Sequence, residues 1–150
     1  MAIVYLIPAP LDEESLQSIP AYVLDAVKQC TVFFVENERT ARRFLKKLDK
    51  SIVIDDHEWF TIHKAEAQVK GQFIQKLQQN KTVGIISEAG CPGIADPGQV
   101  LVEAAHKQGA TVKPLVGPSS ILLALMGSGM NGQQFAFVGY LPIEEPQRRR

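Results

Sequence analysis

Short apolar runs alternate with stretches of helical period along this chain, and that alternation narrows the possible folds more than any other feature. Ala2-Ile-Val-Tyr-Leu-Ile7 is continuously apolar, as in a strand buried on both faces. After Pro20, a residue suited to a helix start, Val23, Leu24, Val27 and Cys30 recur at helical spacing. Thr31–Val35 reads as a second strand. From Glu36 a helix follows, with Phe44, Leu45 and Leu48 inward and Arg42, Arg43, Lys46 and Lys47 largely outward. Ser51–Ile54 reads as a short third strand, with Asp55–Phe60 a loop beyond it. A polar-rich helix over His63–Gln79 carries Val69, Phe73, Ile74 and Leu77 as its stripe. Thr82–Ile86 is again a strand and Gln99–Lys107 a helix, stopped by Gly109. Thr111–Val116 is a strand whose Pro114 marks an edge. An apolar helix then runs from Gly117-Pro-Ser-Ser120 to about Met126, and Phe135–Tyr140 reads as a last strand. This order predicts an α/β fold: a doubly wound, mainly parallel sheet with helices on both faces.

At 150 residues the chain suits one domain, or one domain and the start of another. Sixteen basic and sixteen acidic residues cancel, so no overall field draws it toward nucleic acid or membrane, and such a partner would need a local patch. Cys30 and Cys91 stand far apart without metal-ligand spacing, which fits reduced thiols in the cytoplasm. The apolar start lacks a basic flank and is too short to span a membrane.

The loop after the fourth apolar run is the candidate site. Ser87-Glu-Ala-Gly-Cys-Pro-Gly-Ile-Ala-Asp-Pro-Gly98 packs three glycines and two prolines into twelve residues. An ordinary βα connection has roughly two to six. Glycines leave the backbone open to a ligand, and in such sheets ligands bind at the carboxyl ends of the strands. Gly117-Pro-Ser-Ser120 repeats the arrangement: it follows a strand, opens a helix and presents amides under the helix dipole, or else simply caps that helix. Glu36-Asn-Glu-Arg-Thr40 also follows a strand, which turns its carboxylates and Arg39 toward the same edge. The Arg/Lys face of its helix could meet phosphates, although a solvated face explains it as well. His57 and Glu58, with Trp59 and Phe60, could wall a substrate or pack against another subunit; His63 and His106 read as surface residues. Cys91 reads as a small loop filler rather than a nucleophile, since no histidine is near it in sequence. Walker A, dinucleotide, nucleophile-elbow and zinc motifs are all missing from the sequence.

Taken together, Ser87–Gly98, Val116-Gly-Pro-Ser119 and Phe137-Val-Gly-Tyr-Leu-Pro142 resemble the tetrapyrrole methylase superfamily of S-adenosylmethionine enzymes. The nearest branch methylates cytidine 2′-O-ribose in 16S ribosomal RNA and typically reads S-D-A-G-T-P-x-I-S-D-P-G, then P-G-P-S-A, then G-F-L-P. Glu36, Arg39 and Arg42 fall on that branch's E-D-T-R-x-T-R pattern, and His57-Glu58 on its H-E-H-N. The chain departs from the pattern at Ile7–Leu11, where the branch has T-P-I-G-N-L, and at Glu88, Cys91 and Asn37-Glu38.

The resemblance implies a two-domain homodimeric enzyme. Residues 1–141 would form its N-terminal α/β domain, and 142–150 a linker into a further domain. It implies that S-adenosyl-L-methionine is held by Pro8, Gly90, Cys91, Pro92, Gly93, Asp96, Pro97, Gly98, Gly117, Pro118 and Ser119, with Glu36, Arg39, Glu88 or Asp96 positioning the acceptor. No metal or membrane is needed, and the acceptor would be a ribose hydroxyl of ribosomal RNA in the small subunit. Two alternatives stay open: methylation of a small molecule such as a tetrapyrrole or corrin precursor, and a non-catalytic cofactor-binding or dimerisation module.

Overall fold

The computed structural model describes residues 1–62 and 66–141. Contacts divide the chain into two units, residues 1–120 and 121–150. Within the first, β1 (Ile3–Ile7), β2 (Val32–Val35), β3 (Glu58–Thr61), β4 (Val83–Ile86) and β5 (Thr111–Pro114) form one sheet in the order β3-β2-β4-β1-β5. Every pairing is parallel. The intervening helices are α1 (Tyr22–Gln29), α2 (Glu38–Leu48), α3 (Glu66–Gln78) and α4 (Gln99–Lys107).

Alternation along each strand sends side chains to two separate cores. Tyr5, Ile7, Phe33, Val35 and Ile86 meet Val23 and Val27 of α1 and Phe44 and Leu45 of α2. Val4, Val32, Phe34, Val83 and Ile85 meet Val69, Phe73 and Leu77 of α3 and Leu101 and Ala105 of α4. The central strands β2 and β4 are buried at every position. Two-sided burial is what their uninterrupted apolar runs required. The expected doubly wound sheet is therefore the fold, with α1 and α2 on one face and α3 and α4 on the other. Pro114 does end an edge strand, and Gly109 closes α4 with φ +74° as Ala110 N–H donates back to Ala105 O.

Two strands depart from expectation. Ser51–Ile54 is not the third strand. Asp49 Oδ1 accepts from both the amide and the hydroxyl of Ser51, which turns the chain there. A 3-10 turn follows over Ile54–Asp56. Pairing begins only at Glu58, where Trp59 stacks on Phe33 at 4.9 Å and Phe60 on Phe34 at 4.7 Å, each with its register partner. Aromatic cross-strand pairs outweigh the aliphatic run in choosing the paired segment. Arg42, expected outward, lies over Trp59 at 5.4 Å from the ring centroid and pairs with Glu38.

The second correction concerns Phe135–Tyr140, which forms no strand among the described residues. An apolar run becomes a strand only by pairing its backbone, and no described segment pairs with it. The second unit consists of most of α5 (Ser120–Ser128) and the stretch to residue 141. None of the α5 side chains is buried, and Met126 and Met130 are exposed. His63 and the proposed linker from Pro142 lie outside the described residues. Among the described residues no helix is long and apolar enough to cross a membrane.

Candidate functional site

The chain leaves β1 toward β2 on one side and leaves β4 toward β5 on the other, although β1 and β4 are neighbours. Loops departing in opposite directions open a crevice at the carboxyl ends of that pair, the usual ligand position in open α/β sheets. The loop after β1 and the glycine loop meet there. Ala9 and Gly90 exchange two backbone hydrogen bonds, Ala9 N to Gly90 O at 3.0 Å and Gly90 N to Ala9 O at 2.9 Å. The Ser87 hydroxyl, almost fully buried, donates to Gly90 O at 3.0 Å.

Beyond Gly90 the loop is shaped by its own acid. Asp96 Oδ1 accepts from Gly93 N and Gly98 N, both at 2.8 Å, which draws residues 93–98 into a tight arch that delivers Gly98 to the start of α4. Gly90 and Gly93 have φ of +78° and +86°, where a side chain would be strained. At Gly93 the space a Cβ would occupy is open, leaving bare backbone on the outside of the arch, and Ile94 beside it is 56% exposed. The amides of Gly93 and Gly98 thus serve the loop itself, and that of Gly90 the loop after β1, rather than facing outward.

The third segment joins through Cys91 and Pro8. The Cys91 thiol reaches Pro118 O at 3.4 Å and Gly117 O at 3.7 Å. Burial, and then the negative charge of Asp96, raise its pKa, so it stays a protonated filler as its sequence context indicated. Gly117 sits so close to Pro8 that a Cβ there would come within 2.0 Å of the Pro8 Cβ. Tyr22 steadies the approach, its hydroxyl accepting from Val116 N at 2.5 Å. Pro8, Gly90–Gly98 and Gly117–Ser119, far apart in sequence, therefore border one crevice. An arch of bare backbone beside an exposed aliphatic side chain fits the flat, partly apolar body of a nucleoside cofactor.

The four acceptor-positioning candidates divide. Glu36 N–H donates to Ile86 O at 3.0 Å, and Glu36 Oε2 accepts from Glu88 N at 3.0 Å, fastening the end of β2 to the glycine loop. Glu36 and Asp96 line a narrow cleft with Ser87, Pro97 and Gly98. Glu88 lines a different and larger pocket, and Arg39, exposed on the first turn of α2, lines neither. Asn37, not Glu36, caps α2.

His57 and Glu58 do not reach the site. Glu58 pairs with Val32 at the amino end of the sheet, opposite the glycine loop, and His57 Nδ1 lies 2.9 Å from Val53 O. Trp59 and Phe60, read as a stacking wall, are packed against Phe33 and Phe34.

The larger pocket, of about 250 Å³ between the loop after β1, the Thr40–Lys47 stretch of α2 and Ile86–Ala89, was not foreseen. Arg43 and Lys47 stand at it, one helical turn apart, and only that spacing could have signalled a shared face.

A doubly wound parallel sheet with a backbone-built crevice at its switch point is an α/β domain whose site suits a small molecule. Comparison with known proteins makes this specific. Residues 4–141 match the family of Tetrapyrrole (Corrin/Porphyrin) Methylases, and the chain belongs to that family. It is 31% identical over 147 residues to a Ribosomal RNA small subunit methyltransferase I from Halalkalibacterium halodurans, covering 97% of this chain and 48% of that protein. Its Vibrio cholerae namesake is 31% identical, at 98% and 49% coverage. The chain spans about half the length of these curated relatives. Among solved structures, a uroporphyrin-III-C-methyltransferase from Thermus thermophilus shares the fold with TM-score 0.60 and 16% identity, over 87% of this chain and 54% of that one.

Proposed function

We propose that this chain is the N-terminal domain, with the beginning of a linker, of an S-adenosylmethionine-dependent methyltransferase acting on a ribose 2′-hydroxyl of small-subunit ribosomal RNA. The observation that carries the reading is the meeting of Gly90–Gly98 and Gly117–Ser119 with Pro8 at the β1/β4 switch point. Family membership and the names of the relatives support it. We place the enzyme in the cytoplasm as a homodimer without a metal.

Bound at this crevice, S-adenosylmethionine would supply a methyl carbon already activated by its sulfonium. The protein's task is then mainly alignment of the acceptor oxygen. The Gly93 arch and the Gly117–Ser119 turn hold the cofactor; the carbonyls of Gly117 and Pro118, fixed beside the Cys91 thiol, add negative potential there. A ribose hydroxyl is a weak acid, so a nearby carboxylate is needed to accept its proton. Asp96 Oδ1 is committed to two amides and Glu36 Oε2 to one, which leaves Glu88 as the carboxylate best placed for that role.

The full-length protein is expected to bind S-adenosylhomocysteine in calorimetry with a Kd on the order of micromolar. With methyl-labelled cofactor and small ribosomal subunits it should place label in the RNA. Label entering a porphyrinogen instead would assign a small-molecule acceptor, and binding without transfer to either would make this a non-catalytic module. No binding at all would remove the methyltransferase reading.

A further inference from the structure

The larger pocket beside the glycine loop, about 250 Å³ and open to solvent, has a polarity along its length. One end is Ser87-Glu88-Ala89, which runs directly into Gly90 and the cofactor crevice. Arg43 and Lys47 border it on α2, with Thr40 on the turn before, and its lining between is largely apolar: Leu11, Ala41, Phe44 and Ile86. Resting on the ribose-methylation reading, we infer that this pocket is the acceptor subsite. It takes one nucleotide of single-stranded RNA, with the ribose at Glu88, the base against the apolar floor, and the adjoining phosphate at Arg43 and Lys47.

Charge distribution favours a nucleotide over a macrocycle carrying many carboxylates. Such a macrocycle needs cations around its whole rim, whereas here Asp12, Glu13 and Glu88 border the same pocket as the two cations. A ligand with one anionic end and a hydroxylated, uncharged remainder needs cations at one place only, and there it competes with Glu13 alone for Arg43. The cations are within reach of a phosphate at small cost. Arg43 Nη1 lies 3.2 Å from Glu13 Oε1 and Lys47 Nζ donates to Glu13 O at 3.0 Å, but the Arg43–Glu13 pair is more than half exposed. Exposed pairs of that kind are weak, and a phosphate accepting from guanidinium and ammonium together competes well with them. Asp12 at the pocket border is already engaged, with Oδ1 accepting from Glu14 N and Oδ2 from the Ser15 hydroxyl. At the reacting end the 2′-hydroxyl oxygen gains the methyl carbon and its proton passes to a Glu88 carboxylate oxygen. The carbon–sulfur electron pair stays with the departing thioether.

The test uses the full-length protein, small ribosomal subunits and labelled cofactor. The Arg43→Gln/Lys47→Gln double variant should raise the RNA KM at least tenfold and flatten the salt dependence of kcat/KM by about 0.7 in log–log slope for each lost phosphate contact. Its S-adenosylhomocysteine Kd should stay within about twofold of wild type, since no direct cofactor contact is lost. Because the double variant also loosens the Glu13 loop, Thr40→Glu serves as a second probe. Position 40 is the third residue of α2, where glutamate is well tolerated, yet it puts a negative charge into the pocket. It too should raise the RNA KM and spare cofactor binding. Glu88→Gln should instead lower kcat roughly a hundredfold, with KM little changed. If wild-type protein labels the RNA while Thr40→Glu and the double variant keep wild-type KM and salt slope, the subsite assignment is overturned. If wild-type protein leaves the RNA unlabelled, the ribose reading itself fails and the assignment falls with it.

Discussion

Replacing Gly117 with alanine is expected to cost about 3 kcal/mol of stability, at the upper end of what overpacking usually does. The new Cβ would sit 2.0 Å from Pro8 Cβ and 2.6 Å from Pro8 Cγ. A flexible side chain could swing aside, but a proline ring is fixed to the backbone, so the chain itself must move. The movement separates Gly117 and Pro118 from Cys91 and shifts the loop that holds Ala9 against Gly90. S-adenosylhomocysteine affinity should therefore fall at least tenfold, about 1.4 kcal/mol. Urea unfolding should show a midpoint lower by about 1.5 M. Gly71→Ala is the matched control. It lies within α3 with nothing inside 4 Å of the added carbon, so it should instead add roughly 0.5–1 kcal/mol. Equal behaviour of the two variants would mean that the close approach of Gly117 to Pro8 does not hold the crevice together.

The second large effect is expected at Asp96. Asp96→Ala removes the shared acceptor of Gly93 N and Gly98 N, two short hydrogen bonds to an ionised group. Such bonds contribute about 1.5–3 kcal/mol each, more than the single longer backbone bond from Ile94 N to Cys91 O at 3.3 Å in the same loop. A fall in cofactor affinity on the order of a hundredfold should accompany a smaller loss of global stability, because a loop can distort without unfolding the sheet. Asp96→Asn keeps an oxygen in place and should recover roughly half of the lost binding free energy. If the asparagine variant is as impaired as the alanine variant in cofactor binding, the charge of Asp96, not its bracing of the arch, is what binding requires.

The sheet was legible where strands are buried on both faces. Val32–Val35 and Val83–Ile86 are wholly apolar because nothing else survives between two layers of helices, and sequence alone placed both within a residue. The third strand was not legible from hydropathy. Ile52 does enter the core, but a strand at the edge of a sheet is chosen by what its neighbour offers, here Phe33 and Phe34 to Trp59 and Phe60. Moving the strand by several residues moved His57 and Glu58 from one end of the sheet to the other, which removed them from the site. The cofactor loops were legible because glycine and proline mark backbone shape directly. The division of the carboxylates was hidden, since Glu36, Glu88 and Asp96 look alike in sequence and differ only in which amides they accept from. Arg43 and Lys47 were hidden for a similar reason: an outward cationic face reads the same whether it meets water or forms the wall of a pocket.

Amide hydrogen exchange on the full-length protein, with and without saturating S-adenosylhomocysteine, tests the shared crevice most directly. Ligand should slow exchange together in two stretches remote in sequence, 87–98 and 116–120, and leave 57–58 at the amino end of β3 unchanged. Protection confined to one of those two stretches, or appearing at 57–58 instead, would contradict a crevice built jointly by the loops after β1, β4 and β5.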